Sequence, residues 1–369
     1  MGFQDFYGNS ETVGRAREML AASRFPHAVL LAGPRGAGKY TLAQMLAKAM
    51  NCLAPPPGAP DFCGRCTNCL RIAQADDFDA RFAEAVEARD ALREADRKDT
   101  RLFVQTHPDV LIVPPDPPQR LVKVGQVRRV IETIYFRPGD GRERVYIFPA
   151  TAFMKEAANA LLKVLEEPPE YATLFLLTEN PGELLPTMRS RCVTFPVAPL
   201  PVPELEMLLA TRHPQWSAKQ RALVARLAEG AVGRALGFDL AAYTRAREDA
   251  FAILRSAASG EDHTPLFRVT EGYRGGADGK EKTEQLLRTL YSLLEDLLFL
   301  RSGAPQLVRN TDAVAELNAL ASRVDFEWIA SAAQGLNEVE RGMRRNLLQS
   351  LSLDSFAVSL EPIKMEPTR

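Results

Sequence analysis

The chain has 369 residues, 46% of them hydrophobic, and its 46 basic and 47 acidic side chains leave a formal net charge of −1. That size holds two or three domains with real cores, and the near-neutral balance excludes nucleic-acid binding by overall charge, leaving only a local basic face for it. No apolar run reaches the roughly 18 residues of a membrane span and the first residues lack the charged and apolar sections of a signal peptide, so a cytoplasmic protein with no membrane contact is expected.

Phe3 to Ser23 places apolar residues at helical spacing around Val13, Ala16, Met19 and Leu20 and reads as a leading helix. An apolar run from Ala28 to Leu31 follows, then the glycine-rich stretch Ala32 to Leu42, then a helical pattern at Leu42, Met45, Leu46 and Ala49. Strand, glycine turn and helix in that order are the setting of a phosphate-binding loop, where backbone N–H groups and a helix N-terminus cradle an anion. Gly33, Gly38 and Lys39 meet the spacing G-x-x-x-x-G-K-[ST], with Gly36 inside the turn. Tyr40 stands where a serine or threonine would hold Mg²⁺ against the nucleotide, and Thr41 comes one step late, about 100° around the helix. The expectation is an ATP or ADP site with a damaged metal position.

Cys52, Cys63, Cys66 and Cys69 come next, among Pro55, Pro56, Pro57, Gly58 and Pro60. The C-x10-C-x2-C-x2-C spacing puts three thiols on one tight turn with a fourth to close a tetrahedron, which predicts a zinc site over disulfides, with buried or redox thiols as the alternative. Four sulfur ligands leave no open position for a water, so the metal would be structural. Gln74 to Arg101, rich in Ala, Glu, Asp and Arg, reads as a solvated helix or hairpin inserted into the domain.

Asp109 to Val113 is a second strand, stopped by Pro114 to Pro118, and Gln126 to Tyr135 a helix. Val145 to Phe148 makes a third strand, Asn159 to Leu165 a helix ending before Pro168-Pro169, Thr173 to Thr178 a fourth strand and Cys192 to Val197 a fifth. Five short apolar strands alternating with helices predict a parallel α/β sheet whose ligand sits at the carboxyl ends of the strands. Beyond Pro199-Leu200-Pro201 the pattern is helical only. Glu204 to Ala210, Ala218 to Ala228 and Gly233 to Leu240 form a small unit, and Thr244 onward a longer one with a broad stripe at Leu286, Leu287, Leu290, Leu293, Leu294, Leu297 and Leu298.

An ATPase of this architecture needs carboxylates at the end of the third strand, for Mg²⁺ and for the attacking water. Pro149-Ala150 follow Phe148 there, so hydrolysis by this chain is not expected. Thr178-Glu179-Asn180 ends the fourth strand, either beside a γ-phosphate or as a helix cap before Pro181. Arg191, in Arg189-Ser190-Arg191-Cys192, reads as an arginine finger for a phosphate held by another subunit or as a surface ion pair. Arg234 opens a helix and either reaches back to a nucleotide or faces solvent. His27, His107, His213 and His263 sit in no metal or nucleophile motif and are assigned no chemistry.

Taken together, His27, the loop Leu30 to Thr41, the four cysteines, His107-Pro108-Asp109, the run from Asn159 to Pro169 and Ser190-Arg191-Cys192 resemble the AAA+ clamp-loader subunits of bacterial DNA polymerase III, and within them the delta-prime type. The resemblance covers Phe6 to Leu240 by motif and the rest by layout. It implies an AAA+ domain over 1–198 with its zinc module at 52–69 and charged insertion near 74–101, a helical lid domain over 199–242 and a helical collar domain over 243–369. It further implies a hetero-oligomer with gamma/tau and delta subunits that places a sliding clamp on primed DNA. In such an assembly this chain would be a stator with a degenerate nucleotide site, and Arg191 would enter a neighbour's ATP site. The alternatives are an active gamma/tau-type ATPase motor and a zinc-stabilised scaffold without a nucleotide role. Pro149-Ala150 departs even from the partial acidic motif kept by some such subunits.

Overall fold

The computed structural model describes residues 2–58, 60–117, 119–259, 264–273, 277–344 and 349–360. The chain divides into two compact units, the first of residues 1–201 with 230–234, the second of residues 202–229 with 235–369.

The first unit is built on one sheet. Its strands are β1 (Ala28–Ala32), β2 (Val104–His107), β3 (Val110–Ile112), β4 (Arg144–Phe148), β5 (Ala172–Thr178) and β6 (Val193–Pro196), in the order β2-β3-β4-β5-β1-β6. All neighbours pair in parallel except β2 and β3. The expected five-stranded parallel sheet is therefore corrected to six strands with an antiparallel edge. The sixth strand lay hidden in Val104-Gln105-Thr106-His107, too short and polar to stand out, and it pairs back on β3 across the turn at Pro108-Asp109.

Side chains leave a strand on alternate faces, and the two cores of this unit divide by that parity. Val29, Leu31, Val145, Ile147, Phe175 and Leu177 point to one face, where they meet Leu42, Met45 and Leu46 of the helix Lys39–Asn51. Ala28, Leu30, Tyr146, Phe148, Leu174 and Leu176 point to the other, onto Val127, Val130 and Ile134 of the helix Val124–Ile134 and Leu161 and Val164 of the helix Lys155–Glu166. Burial on both faces explains why β5 is buried at every position and reads as a continuous apolar run.

The leading helix is shorter than expected. A single turn at Phe3–Asp5 is separated from the helix Ser10–Ala21 by Asn9, whose left-handed backbone (φ 52°) breaks the periodicity. The Asn9 side-chain amide donates to the Ala198 carbonyl at 3.0 Å and its oxygen accepts from Ala198 N–H at 2.7 Å, tying this helix to the end of β6.

The charged insertion forms two helices, Phe78–Asp90 and Glu94–Asp99. It is wet as expected over most of its surface but anchored at both ends of the longer helix. Phe78 packs against the core, and Arg89 pairs with the buried Asp116, which also holds Lys123 at 2.9 Å.

The second unit is helical throughout its described residues. The helix Ala277–Arg301 buries Leu286, Leu287, Leu290, Leu293, Leu294 and Leu297, whereas Leu298 at the rim of the stripe is 39% exposed. Asp296 is fully buried and accepts from Arg309 N–H, Asn310 N–H and the Asn310 amide, closing the turn before the helix Val314–Ala321. The helix expected over Gly233 to Leu240 ends at Leu236, and Leu240 starts the next one, Leu240–Ser259, capped by Asp239 through the Ala242 N–H at 2.8 Å. Of the expected collar, residues 260–263, 274–276, 345–348 and 361–369 lie outside the described residues, His263 among them.

Candidate functional site

The parallel strands β1, β4, β5 and β6 end on one edge of the sheet. Gly33 N–H donates to the Thr178 carbonyl at 3.1 Å and Val197 N–H to the Ala32 carbonyl at 2.7 Å, so the loop after β1 starts clasped between the ends of β5 and β6. A Cβ on Gly33 would lie 2.0 Å from the Val197 carbonyl oxygen, which makes glycine obligatory there. Gly38 precedes the helix at φ +96°, a backbone that side chains avoid.

Lys39 begins that helix, and its ammonium donates to the Gly33 carbonyl at 2.6 Å and the Pro34 carbonyl at 2.9 Å. Burial pulls its pKa below the usual lysine value; the Glu179 carboxylate opposes that and the Arg35 guanidinium adds to it. Tyr40 turns away from the loop. Its hydroxyl donates to the Ala75 carbonyl at 2.6 Å and accepts from the Gln44 amide at 2.7 Å, and its ring lies 5.2 Å from that of Phe78. Burial pushes its pKa above the tyrosine value. Tyr40 thus fastens the loop's helix to the charged insertion. Thr41 is exposed on the same turn.

At the end of β4, Pro149-Ala150 leads to Thr151, whose hydroxyl donates to that of Thr178 at 3.0 Å, and Thr178 in turn donates to the Asn180 carbonyl at 2.9 Å. The Asn180 side chain accepts from Gly182 N–H at 2.9 Å, the capping alternative of the two expected for it. The Thr151–Thr178 pair and the field of Glu179 on Lys39 had no signature in the sequence, because they join strand ends far apart in the chain. Gly36 and Arg234 do meet: the Gly36 carbonyl accepts from Gly233 N–H at 2.9 Å, and a Cβ on Gly36 would stand 3.3 Å from the Arg234 nitrogen. The Arg234 side chain is exposed on the first turn of the helix Val232–Leu236.

The four cysteines converge. Cys52 follows the helix Lys39–Asn51, Cys66 caps the helix Thr67–Ala73, which carries Cys69, and the four sulfurs lie within 4.8 Å of one another. Cys63 N–H donates to the Cys52 sulfur at 3.2 Å and Cys66 N–H to the Cys63 sulfur at 3.3 Å. Tetrahedral zinc with Zn–S bonds of about 2.3 Å spaces its sulfurs about 3.8 Å apart, so the set is close enough together to hold such a metal. Burial raises the Cys52 and Cys69 thiols. At Cys66 burial acts the same way, but N–H donors from Cys69 and Leu53 and the neighbouring thiols bring it down to about 6.

Arg191 lies away from the loop, between β5 and β6. The motif folds back on the short helix Pro186–Arg189: Ser190 Oγ and Arg191 Nη1 both donate to the Thr187 carbonyl, at 3.1 and 2.8 Å, and Cys192 Sγ to the Met188 carbonyl at 3.3 Å. Arg191 Nη2 also donates to Glu166 Oε1 at 2.5 Å, linking this tripeptide to the end of the run from Asn159. His107 serves the fold. Its Nδ1 accepts from Asp109 N–H at 3.1 Å, and the Asp109 carboxylate accepts from Gly139, Asp140 and Gly141 N–H at 2.9, 2.9 and 2.7 Å.

No helix among the described residues is long and apolar enough to cross a membrane. The chain is 31% identical over 239 residues to DNA polymerase III subunit tau of Escherichia coli, a match covering 63% of this chain and 32% of that one. It is 34% identical over 176 residues to DNA polymerase III subunit delta' of Pseudomonas aeruginosa, covering 47% of this chain and 44% of the relative. The chain therefore spans less than half the length of either relative. Among solved structures, a DNA polymerase III gamma-subunit-related protein from Thermotoga maritima is similar at a TM-score of 0.38 and 17% identity, covering 93% of this chain and 97% of that one. The family described as DNA polymerase III, delta subunit, matches residues 8–201, more than half of the chain, and the chain belongs to that family of clamp-loader subunits.

Proposed function

We propose that this chain is a delta-prime-type stator of a DNA polymerase III clamp loader, which binds gamma/tau and delta subunits, helps place a sliding clamp on primed DNA and does not itself hydrolyse ATP. The observation that carries this reading is the pair of defects at the carboxyl edge of the sheet. The position of the metal-binding hydroxyl holds Tyr40, committed to Ala75 and Gln44, and β4 ends in Pro149-Ala150 with a neutral threonine pair behind it. Without a hydroxyl ligand and a strand-end carboxylate, neither Mg²⁺ nor an attacking water has its usual holder. Lys39 with Gly33, Gly36, Gly38, Thr41 and Arg234 would then form a degenerate site for ATP or ADP.

In this reading the AAA+ domain spans 1–198, the lid 199–242 and the collar 243–369, zinc sits on Cys52, Cys63, Cys66 and Cys69 as a structural ion, and the protein works in the cytoplasm. Arg191 is the group that acts, entering the ATP site of a neighbouring motor subunit to stabilise phosphate charge in trans. The test is ATP turnover by the chain alone and by the chain mixed with motor and delta subunits, clamp and primed DNA. Silence alone and an active mixture that loses most of its rate with Arg191→Ala supports the stator. An active mixture indifferent to Arg191→Ala would leave a zinc-stabilised scaffold.

A second reading, an active gamma/tau-type motor, is favoured by the longer span of the match to the tau subunit, 239 residues against 176 for the delta' subunit. Turnover by the purified chain alone would establish it in place of the stator.

A further inference from the structure

Arg191 is held at two points on two different elements. Nη1 is fixed by the Thr187 carbonyl, four residues back on its own segment, and Nη2 by the carboxylate of Glu166 at the end of the helix Lys155–Glu166. A guanidinium is a rigid planar fork with five N–H donors, so two anchors on separate elements set its plane and still leave donors for an incoming oxyanion. The pair is substantially exposed, the side chains being 34% and 49% accessible, and an ion pair in that setting adds little to stability. Its consequence is geometric: a long side chain that would otherwise sample many rotamers is confined before any partner arrives.

We propose that Glu166 is the positioning residue for Arg191, presenting its guanidinium in a set orientation to a phosphate group held by a neighbouring subunit. The inference rests on the in-trans reading of Arg191 given above. Glu166 itself touches no phosphate. It acts by paying in advance the ordering of Arg191, so its removal costs the freedom of one long side chain, about 2- to 12-fold in rate. The carbonyl of Thr187 supplies the second anchor and is untouched by side-chain substitution.

The experiment is steady-state ATP turnover of the assembled complex, with clamp and primed DNA, carrying wild type, Glu166→Gln, Glu166→Ala, Arg191→Ala or the double variant Glu166→Ala/Arg191→Ala. Glu166→Gln keeps an oxygen acceptor of the same reach and is expected to stay within about 2-fold of wild type. Glu166→Ala is expected to lower kcat by about 2- to 12-fold with KM for ATP unchanged, because the substrate is bound by the neighbour's own loop. The double variant is expected to be no slower than Arg191→Ala alone, since a positioning residue has nothing left to position. A merely structural Glu166 would instead slow both backgrounds by the same factor, and that result overturns the proposal. A rise in turnover with either Glu166 variant would also overturn it, by showing that the carboxylate restrains Arg191. If Arg191→Ala leaves the rate unchanged, the in-trans reading fails and this proposal with it. If Arg191→Ala is slow while Glu166→Ala is not, the proposal alone fails.

Discussion

With zinc on the four cysteines, as proposed above, removing the metal should melt the module and leave the sheet standing. Between Cys52 and Cys63 the described residues form no helix or strand and include three consecutive prolines and Leu53, 60% exposed; the one large buried side chain among them is Phe62. Asp61 adds polar ties, accepting from Phe3 N–H at 3.2 Å and Phe62 N–H at 2.8 Å. Burying a phenylalanine contributes about 1.5 to 3 kcal/mol, whereas ordering about ten residues costs about 10 to 20 kcal/mol. A structural zinc on four thiolates supplies about 10 to 16 kcal/mol, the same order as the deficit. The flanking helices have support of their own, because Leu42, Met45, Leu46 and Ile72 are buried with Val29, Leu31 and Phe175 of the sheet in the core that Cys52 and Cys69 join. One zinc per chain is therefore expected by elemental analysis. A chelator, or Cys63→Ser, should release amide hydrogen-exchange protection over residues 53–66 by more than about 100-fold while β1 and β5 keep theirs. A metal-free protein whose module amides remain protected would refute the reasoning, and so would chelation that unfolds the sheet together with the module.

Tyr40→Ser should give no ATP turnover, since the end of β4 still lacks a carboxylate. It should lower stability by about 2 to 4 kcal/mol in denaturant titration, through the lost ring contact with Phe78 and the unpaired Gln44 amide. Gly33→Ala forces a Cβ to 2.0 Å from a backbone oxygen, and is expected to cost more than about 3 kcal/mol or to leave the chain insoluble on expression. Asp109 is buried, which alone would raise its pKa, but N–H donors from Gly139, Gly141 and Asp140 and the Arg144 guanidinium hold it below the usual value. A depressed carboxylate stabilises the fold fully above its unfolded pKa near 4 and loses that contribution as pH falls through the lower folded value. Asp109→Asn should therefore be less stable at pH 7 and should lose less stability than wild type on acidification below about pH 4, as read by chemical denaturation at each pH.

Legibility in the sequence followed the range of the interaction. The loop after β1, the cysteine cluster and the strands with continuous apolar runs are local patterns, and they appear where their residues place them. What sequence reading missed is non-local. The edge strand β2 takes its partners from β3 and has little apolar character of its own. Asn9 broke the leading helix because its amide is claimed by Ala198, a residue 189 positions away. Tyr40 was legible as a missing metal ligand but not as a packing residue, since its partners Ala75 and Phe78 belong to a segment that reads as a solvated charge run. The Glu166–Arg191 pair has the same character, two separately noticeable motifs whose contact exists only after β5 and β6 are in place.

These contacts also explain how the loop after β1 could keep its glycines whether or not a nucleotide and its metal bind beside it. Gly33 is required by the Val197 carbonyl oxygen, 2.0 Å from where its Cβ would stand, and Gly36 by its φ of +80° and by the Ala231 Cβ, 3.1 Å from where a Cβ would stand. Each demand comes from packing and backbone conformation inside the unit and would persist if no nucleotide ever bound. The lysine answers to the loop as well, its ammonium bridging the Gly33 and Pro34 carbonyls. A serine or threonine at position 40 and an acid after Phe148 answer to no such internal demand, for their usual partners are Mg²⁺ and water. On the stator reading, a chain that ceased to turn over ATP would thus lose the metal and water ligands first and keep the glycines and lysine longest, as the residues at Gly33, Gly36, Gly38, Lys39, Tyr40 and Pro149-Ala150 are arranged here.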